Sequence, residues 1–158
     1  MTDEFTAFRF VVTLDPADAY LPPRQAALLR GFTGGAFQEV KGLGADLEVT
    51  AYPEGGIGGF VHQLPVRHSW TRLSLRRGVV RDAGLWSWYS AGLAQSLGAR
   101  RDGAVWLLGG DGRPAISWTF RAGLAAKWMG PEFGAMQGSI AVEGLEIAHQ
   151  GIDQVLVR

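Results

Sequence analysis

The chain has 158 residues, the usual length of one domain, and hydrophobic side chains at 47% of positions can supply a single sizeable core. Its 15 basic and 15 acidic residues cancel, so no net charge attracts nucleic acid, an anionic membrane or an acidic substrate. The absence of cysteine excludes a disulfide framework, a thiolate zinc site and redox chemistry at cysteine.

The composition favours β structure, and the first predicted strand comes early. The 23 glycines disfavour long helices, whereas six tryptophans and eight phenylalanines suit pleated, half-buried surfaces. Residues 8–14 (FRFVVTL) are rich in β-branched and aromatic side chains and stop before Pro16, which has a fixed φ and lacks a donor. Residues 15–35 then carry three prolines and two closing glycines, which predicts a long inserted loop with at most one helical turn.

Two strand candidates, 36–40 and 46–52, come next, separated by a turn-prone link. In the second, Leu47 and Val49 alternate with more polar side chains, which indicates that one face contacts water or a partner. The segment 53–59 (PEGGIGG) has too little side chain to bury and too much backbone freedom to be rigid alone. It is predicted to be an exposed hairpin tip that becomes ordered on a partner.

Strand candidates also flank the one predicted helix. Residues 60–64 and 69–76 have strand character, and the second segment has one apolar face and one face suited to contacts. Apolar residues at helical spacing from Leu85 to Leu97 predict the helix, with a candidate N-cap at Asp82 and a natural stop at Gly98.

The last third of the chain is predicted to be strands. The candidates are 104–108, 114–120, 124–129 and 139–149. The turn 109–112 (GGDG) is a strong hairpin signal, and a shift in apolar parity predicts a bulge near Glu143 and Gly144. The expected fold is mainly β, with eight or nine strands, one α-helix and no second domain across residues 1–158.

No catalytic or ligand-binding constellation emerges from these patterns. The histidines lack acidic or histidine neighbours at metal-ligand spacing, and two glutamates of the last strand point to opposite faces. The glycine run lacks the Lys-Ser/Thr of a phosphate loop, and no serine lies in a Gly-x-Ser-x-Gly elbow. Arginines among the tryptophans could stack on bases, but core packing and subunit contacts explain them as well. The residues weighed for these roles are His62, His68, His149, Glu143, Glu146, Arg72, Arg76 and Arg77. We expect no enzyme activity, no cofactor and no metal.

Several segments, in one order along the chain, resemble a known protein family. The first half contains GAFQEVKGL from Gly35, YPEGG from Tyr52 and the pair Leu64-Pro65. The second half contains LSLRRG from Leu73, LWSW from Leu85, KWMGP from Lys127 and IAVEGLEIAHQG from Ile140. This collinear set resembles the phage-tail tube protein family, which includes tube proteins of contractile phages and of extracellular contractile injection particles and is related to the type VI secretion tube protein.

The resemblance implies a tail-tube fold, a β-barrel or two-sheet sandwich with one flanking helix. Six copies would form a ring, and rings would stack into a hollow conduit for cargo or DNA. Strand edges left open in one copy would pair with the next copy and close a barrel around the lumen. The alternating strands 46–52 and 69–76 would then have one face in the protomer core and one face lining the channel.

Two sets of contact residues follow by analogy with the family. The glycine-rich tip would reach the neighbouring ring, through the ring-stacking candidates Tyr52, Glu54, Gly55, Gly56 and Phe60. The inserted loop 15–35, which the simplest tube subunits lack, indicates a tube initiator or adaptor ring at the baseplate, or an added contact with the sheath. The candidates for that contact are Tyr20, Leu21, Leu28, Leu29 and Phe32. The implied partners are further copies of the chain and the sheath, baseplate and spike proteins.

The N-terminus is acidic, and no apolar run approaches the roughly 20 residues of a membrane helix. We therefore expect synthesis in the cytoplasm, no membrane insertion by this chain, and assembly into a phage tail or an injection particle that can be released from the cell. The alternative is a monomeric small-ligand-binding β-barrel, which requires an enclosed apolar cavity.

Overall fold

The structure, a computed structural model, describes residues 10–14, 37–56, 58–79, 81 and 83–156, and most of this part is β-sheet. In chain order the strands are β1 (Phe10–Leu14), β2 (Glu39–Lys41), β3 (Ala45–Tyr52), β4 (His62–Trp70), β5 (Leu73–Gly78), β6 (Arg101–Leu108), β7 (Pro114–Met129), β8 (Val142–Ala148) and β9 (Ile152–Leu156). The helix α1 (Gly84–Gln95) follows β5 and continues into a 3-10 turn, Ser96–Ala99.

One long strand joins two layers of sheet. Seven strands form an antiparallel sheet in the order β1-β6-β7-β8-β5-β2, with β9 also on β7. β7 pairs with β6 through residues 114–123, with β9 through residues 116–120 and with β8 through residues 124–129. Between these parts Ala122 has a φ of 52°, and its amide donates to the Asp102 carboxylate at 2.7 Å. The chain bends there, so the two parts of the sheet become two layers.

A single apolar core lies between the two layers and beneath α1. It includes Val12 and Phe120 from one layer, Leu75 and Ile147 from the other, and Trp88 from the helix, all at most 1% exposed. The predicted mainly β fold, a barrel or two-sheet sandwich with one helix, is confirmed. Among the described strands the end strands β1 and β2 do not pair with each other, so the sheet is an open sandwich rather than a closed barrel.

Several strands have other limits than predicted, and β9 was not predicted. The expected strands 60–64 and 69–76 are instead β4, which runs through Pro65, and β5. Proline is tolerated because β4 has β3 as its one described neighbour and Pro65 lies at an irregularity of that pairing. In the same way the expected strands 114–120 and 124–129 join in β7, since the positive φ at Ala122 bends the chain without ending the strand.

The predicted bulge at Glu143 and Gly144 is wrong. β8 pairs with β5 in an unbroken register, and the irregularity lies on the facing strand, between Ala125 and Lys127 of β7. The parity of apolar residues changes because the charged Glu143 is buried on the same side of β8 as Leu145. The prediction failed because a charge occupies a core position.

α1 is shorter than predicted and buries a narrower stripe. Leu85, Trp88 and Ala91 are buried, whereas Leu93, which the spacing assigned to the same face, is 72% exposed. The helix ends at Ser96, which has a positive φ and donates its amide to a carbonyl one turn back. The predicted N-cap at residue 82 lies outside the described residues.

In the described ranges, no helix combines the length and the apolar character needed to cross a membrane.

Candidate assembly surfaces

β3 and β4 form a two-stranded ribbon that pairs with no other described strand. All eight residues of β3 are exposed, and so are all those of β4 except the first, His62. A lone two-stranded hairpin is marginally stable in water, because both faces and one edge of each strand stay solvated. Such exposure favours a role in contacts between molecules.

The two faces of the ribbon differ in polarity, since directly opposed residues share a face and successive residues alternate. The apolar face carries Ala45, Leu47, Val49, Ala51, Gln63, Pro65, His68 and Trp70. The polar face carries Asp46, Glu48, Thr50, Tyr52, His62, Leu64, Arg67 and Ser69. The predicted alternation is present, but its apolar residues do not lie in the protomer core as expected. Leu47 and Val49 are about half exposed, because the ribbon extends past the main sheet and no layer of the described strands faces it.

His62 organises the tip of the ribbon. Its Nε2 lies 2.8 Å from a carboxylate oxygen of Glu54, and the ring of Phe60 meets it edge-on at 5.1 Å. Tyr52 lies opposite His62 in the last pair of the ribbon. Three ring-stacking candidates, Tyr52, Glu54 and Phe60, are thus gathered around a histidine that sequence reasoning treated as ordinary. The sequence could indicate this cluster only through the register of the hairpin, and that register cannot be assigned until the length of the loop is known.

The other two candidates, Gly55 and Gly56, form the turn of the tip. A Cβ at either position would meet nothing within 4 Å, so the tip is open on all sides. Gly56 has a φ of 93°, a left-handed conformation that glycine adopts without strain. The predicted exposed tip is confirmed for residues 53–56 and 58–59, and its ordering on a partner stays a prediction.

Two further apolar surfaces were not predicted. On α1 the outward-facing Trp86 and Leu93 are exposed, and the Trp86 ring meets Trp128 edge-on at 4.9 Å. In the loop between β7 and β8, Phe133 and Met136 are 84% and 99% exposed. An irregular loop has no periodicity, so the sequence offers no signal that its apolar residues face water.

A buried ion pair links β5 to β8. The Nε of Arg77 donates to Glu143 at 2.8 Å, and the guanidinium lies 6.0 Å from the centre of the Phe37 ring. Arg77 is fully buried, so the hypothesis of an arginine that stacks on bases is wrong at this position. Glu146, on the opposite face of β8, approaches Lys127 at 4.0 Å. The prediction that the two glutamates cannot converge on one atom is confirmed.

Surface charges near β2 form a small network. Glu39 lies next to Lys41 at 2.6 Å and Arg76 at 3.9 Å. The hydrogen bond from Lys41 lowers the pKa of the Glu39 carboxyl; the positive charges of Lys41 and Arg76 act in the same direction, and slight burial opposes them.

Within the described part of the chain, no group of three or more histidine or acidic side chains is placed to hold a metal ion.

Core side chains, Trp88 and Phe120 among them, pack between the two layers. A groove of about 360 Å³ that opens to solvent is lined by both layers, by Phe10 and Trp118 of one and by Val40 of the other. The baseplate or sheath contact candidates of the inserted loop lie outside the described residues. They are Tyr20, Leu21, Leu28, Leu29 and Phe32.

Solved structures of other proteins share this fold. A chain in the cryo-EM structure of the anti-feeding prophage baseplate, sixfold symmetrised, superposes with a TM-score of 0.77 at 22% identity, covering 100% of this chain and 99% of that one. A chain in the sheath-tube complex of the PVC extracellular contractile injection system gives 0.77 at 20% identity, covering 98% and 93%. A type six secretion system protein gives 0.54 at 15% identity, covering 94% and 83%.

No curated protein sequence matches the chain. Residues 6–153, nearly its whole length, match the family described as T4-like virus tail tube protein gp19. This match confirms the family resemblance seen in the sequence. The chain belongs to the T4-like virus tail tube protein family.

Proposed function

We propose that the chain is a structural subunit of the inner tube of a contractile tail or injection particle. Six copies close a ring, and rings stack into a hollow conduit through which cargo or DNA passes. The observation that carries the proposal is the ribbon of β3 and β4, which leaves an apolar face in water in a single copy. Family membership supports it, as does the shared fold with chains of a sixfold-symmetrised baseplate and a sheath-tube complex.

Strand edges that are open in one copy can close the ring by pairing with the next copy. In the described structure β3 and β4 each have one edge without a strand partner, as do β1, β2 and β9. Pairing between copies satisfies these backbone groups, and a closed ring removes the edges altogether. The apolar face of the ribbon is then covered by a neighbouring copy, while the polar face, with Glu48, Thr50 and Arg67, lines the water-filled channel.

The tip of the ribbon contacts the next ring in the stack. It offers a carboxylate at Glu54, two exposed aromatic rings at Tyr52 and Phe60, and the adaptable backbone of Gly55 and Gly56. In this role the chain is one tail-tube domain with an inserted loop. It needs no catalytic group. Its partners are further copies of itself and sheath, baseplate and spike proteins, in a particle assembled after synthesis in the cytoplasm.

The purified chain is expected to form rings with sixfold symmetry, or short tubes, in negative-stain electron microscopy. Native mass spectrometry should show a hexamer as the main closed species. A protein that stays strictly monomeric at high concentration would contradict the proposal. The same measurement addresses the alternative, a monomeric ligand-binding barrel, which requires an enclosed cavity, whereas the described sheet and its groove are open.

The insertion at 15–35 is proposed to make the ring a specialised one, an initiator or adaptor at the baseplate or a ring with an added sheath contact. Deleting residues 20–34 is expected to abolish docking to baseplate components, measured by pull-down, while sixfold rings still form. Normal docking by the deletion variant would sink this assignment, and loss of the rings themselves would place the insertion in ring closure instead.

A further inference from the structure

The ribbon continues another pair of strands without a change of register. Lys41 of β2 lies opposite Ser74 of β5, and Ala45 of β3 lies opposite Trp70 of β4. Three residues of each chain segment lie between these pairs, so neither side has an insertion. The ribbon is therefore an extension of the β2–β5 pair, and its direction is set within this short junction, here called the joint.

Backbone contacts hold the two segments of the joint close together. Gly42 has a φ of 91°, and a Cβ there would lie 1.9 Å from the carbonyl oxygen of Arg72. The amide of Thr71 donates to the carbonyl of Gly44 at 3.1 Å. A tight crossing of this kind fixes the point at which the ribbon leaves the main sheet.

His149 connects the joint to the main sheet. Its Nε2 lies 2.9 Å from the carbonyl oxygen of Thr71, and its Nδ1 accepts from the amide of Gly151 at 3.2 Å. A carbonyl oxygen only accepts, so Nε2 carries the proton and the neutral ring is bonded at both nitrogens. The turn holding His149 is itself fixed to β7, because the amide of Arg121 donates to the Gly151 carbonyl at 3.1 Å.

Ring contacts extend this link into the ribbon. The ring of His149 lies 5.9 Å from that of Trp70, which in turn meets His68 edge-on at 4.6 Å. Trp70 and His68 both belong to the apolar face. A row of three rings thus runs from the main sheet along the face that a neighbouring copy is proposed to cover.

We propose that His149 is a positioning residue that sets the tilt of the ribbon through its hydrogen bond to the Thr71 carbonyl. The proposal rests on the function proposed above, since the tilt decides whether the apolar face of one copy meets the next. His149 need not touch a neighbouring subunit to act in this way. Its effect on assembly runs through the direction of the ribbon.

Two conservative variants separate the two hydrogen bonds of the ring. In His149→Gln the amide nitrogen takes the place of Nε2 and still donates to Thr71, but the bond from Gly151 is lost. In His149→Asn the side-chain oxygen takes the place of Nδ1 and still accepts from Gly151, but the bond to Thr71 is lost. We expect His149→Asn to raise the subunit concentration needed for half-maximal ring formation about tenfold, and His149→Gln to keep it within about threefold of the parent.

If His149 acted only on the turn after β8, the bond from Gly151 would matter and His149→Gln would be the more damaging variant. Rings from His149→Asn with none from His149→Gln would therefore overturn the proposal. Equal behaviour of the two variants would also overturn it. A second readout needs no rings: spin labels at Thr50→Cys and Ala94→Cys in the cysteine-free chain report the distance from ribbon to helix. The distance distribution is expected to broaden with His149→Asn and not with His149→Gln. If the parent forms no rings, the proposed function fails, and this distance measurement still decides the role of His149.

Discussion

Val49→Asp is expected to abolish ring formation while leaving the subunit folded. Val49 lies on the apolar face of the ribbon and is half exposed in a single copy, so the charge costs little there. In the ring the same carboxylate would be buried against a neighbour, which forfeits the burial of an apolar side chain and desolvates a charge. A loss of about 3 kcal/mol per contact lowers each contact's association constant by more than about a hundredfold. Sedimentation velocity and negative-stain images measure the loss.

Thr50→Asp is the matched control for this variant. It adds the same charge one residue further along β3, on the polar face that is proposed to line the channel. Rings should form normally, and circular dichroism should show both variants folded like the parent. Equal loss of rings in the two variants would mean that the faces are not distinguished by assembly, and intact rings with Val49→Asp would remove the ribbon from the interface.

Glu143→Leu is expected to destabilise the subunit by about 3–5 kcal/mol, because it removes the carboxylate that faces the buried guanidinium of Arg77. The Arg77 side chain is 1% exposed, so it cannot turn to water without disrupting the packing around Phe37. Urea unfolding followed by tryptophan fluorescence measures the free energy of unfolding.

The double variant Arg77→Met/Glu143→Leu tests the physical reason. Replacing a buried ion pair by apolar side chains of similar volume is often neutral or stabilising, so most of the loss should be recovered. A single variant that costs less than about 1 kcal/mol would show that the pair contributes little. A double variant as unstable as the single one would mean that Glu143 acts by some other contact than Arg77.

Local patterns were sufficient for much of the fold. The GGDG turn joins β6 and β7, where the amide of Gly109 donates to the carbonyl of Arg113 at 2.8 Å, as the hairpin signal predicted. Strand alternation correctly identified two unlike faces in β3. It reports only that the faces differ in polarity, however, and not what covers them, so the exposure of Leu47 and Val49 could not be read from the sequence.

The parts that were not predicted depend on long-range neighbours. Glu143 occupies a core position of β8 because it pairs with Arg77. That partner is 66 residues away in the chain, so local patterns gave no reason to expect a buried charge there. His62 and His149 appeared ordinary because the groups they bond are brought near by the hairpin and by the turn after β8. The five candidates at the ribbon tip were chosen by resemblance, and geometry gathers three of them while their role in ring stacking stays a prediction.

The bend in β7 governs how cooperatively the molecule unfolds. One strand supplies ladder hydrogen bonds to both layers, through residues 114–123 and 124–129. Because one continuous strand belongs to both layers and the layers share one core, the sandwich is expected to unfold as a single cooperative unit. The ribbon lies outside that unit, joined to it through the joint and His149. If the ribbon changes its direction when rings assemble, we expect the core of the subunit to stay intact.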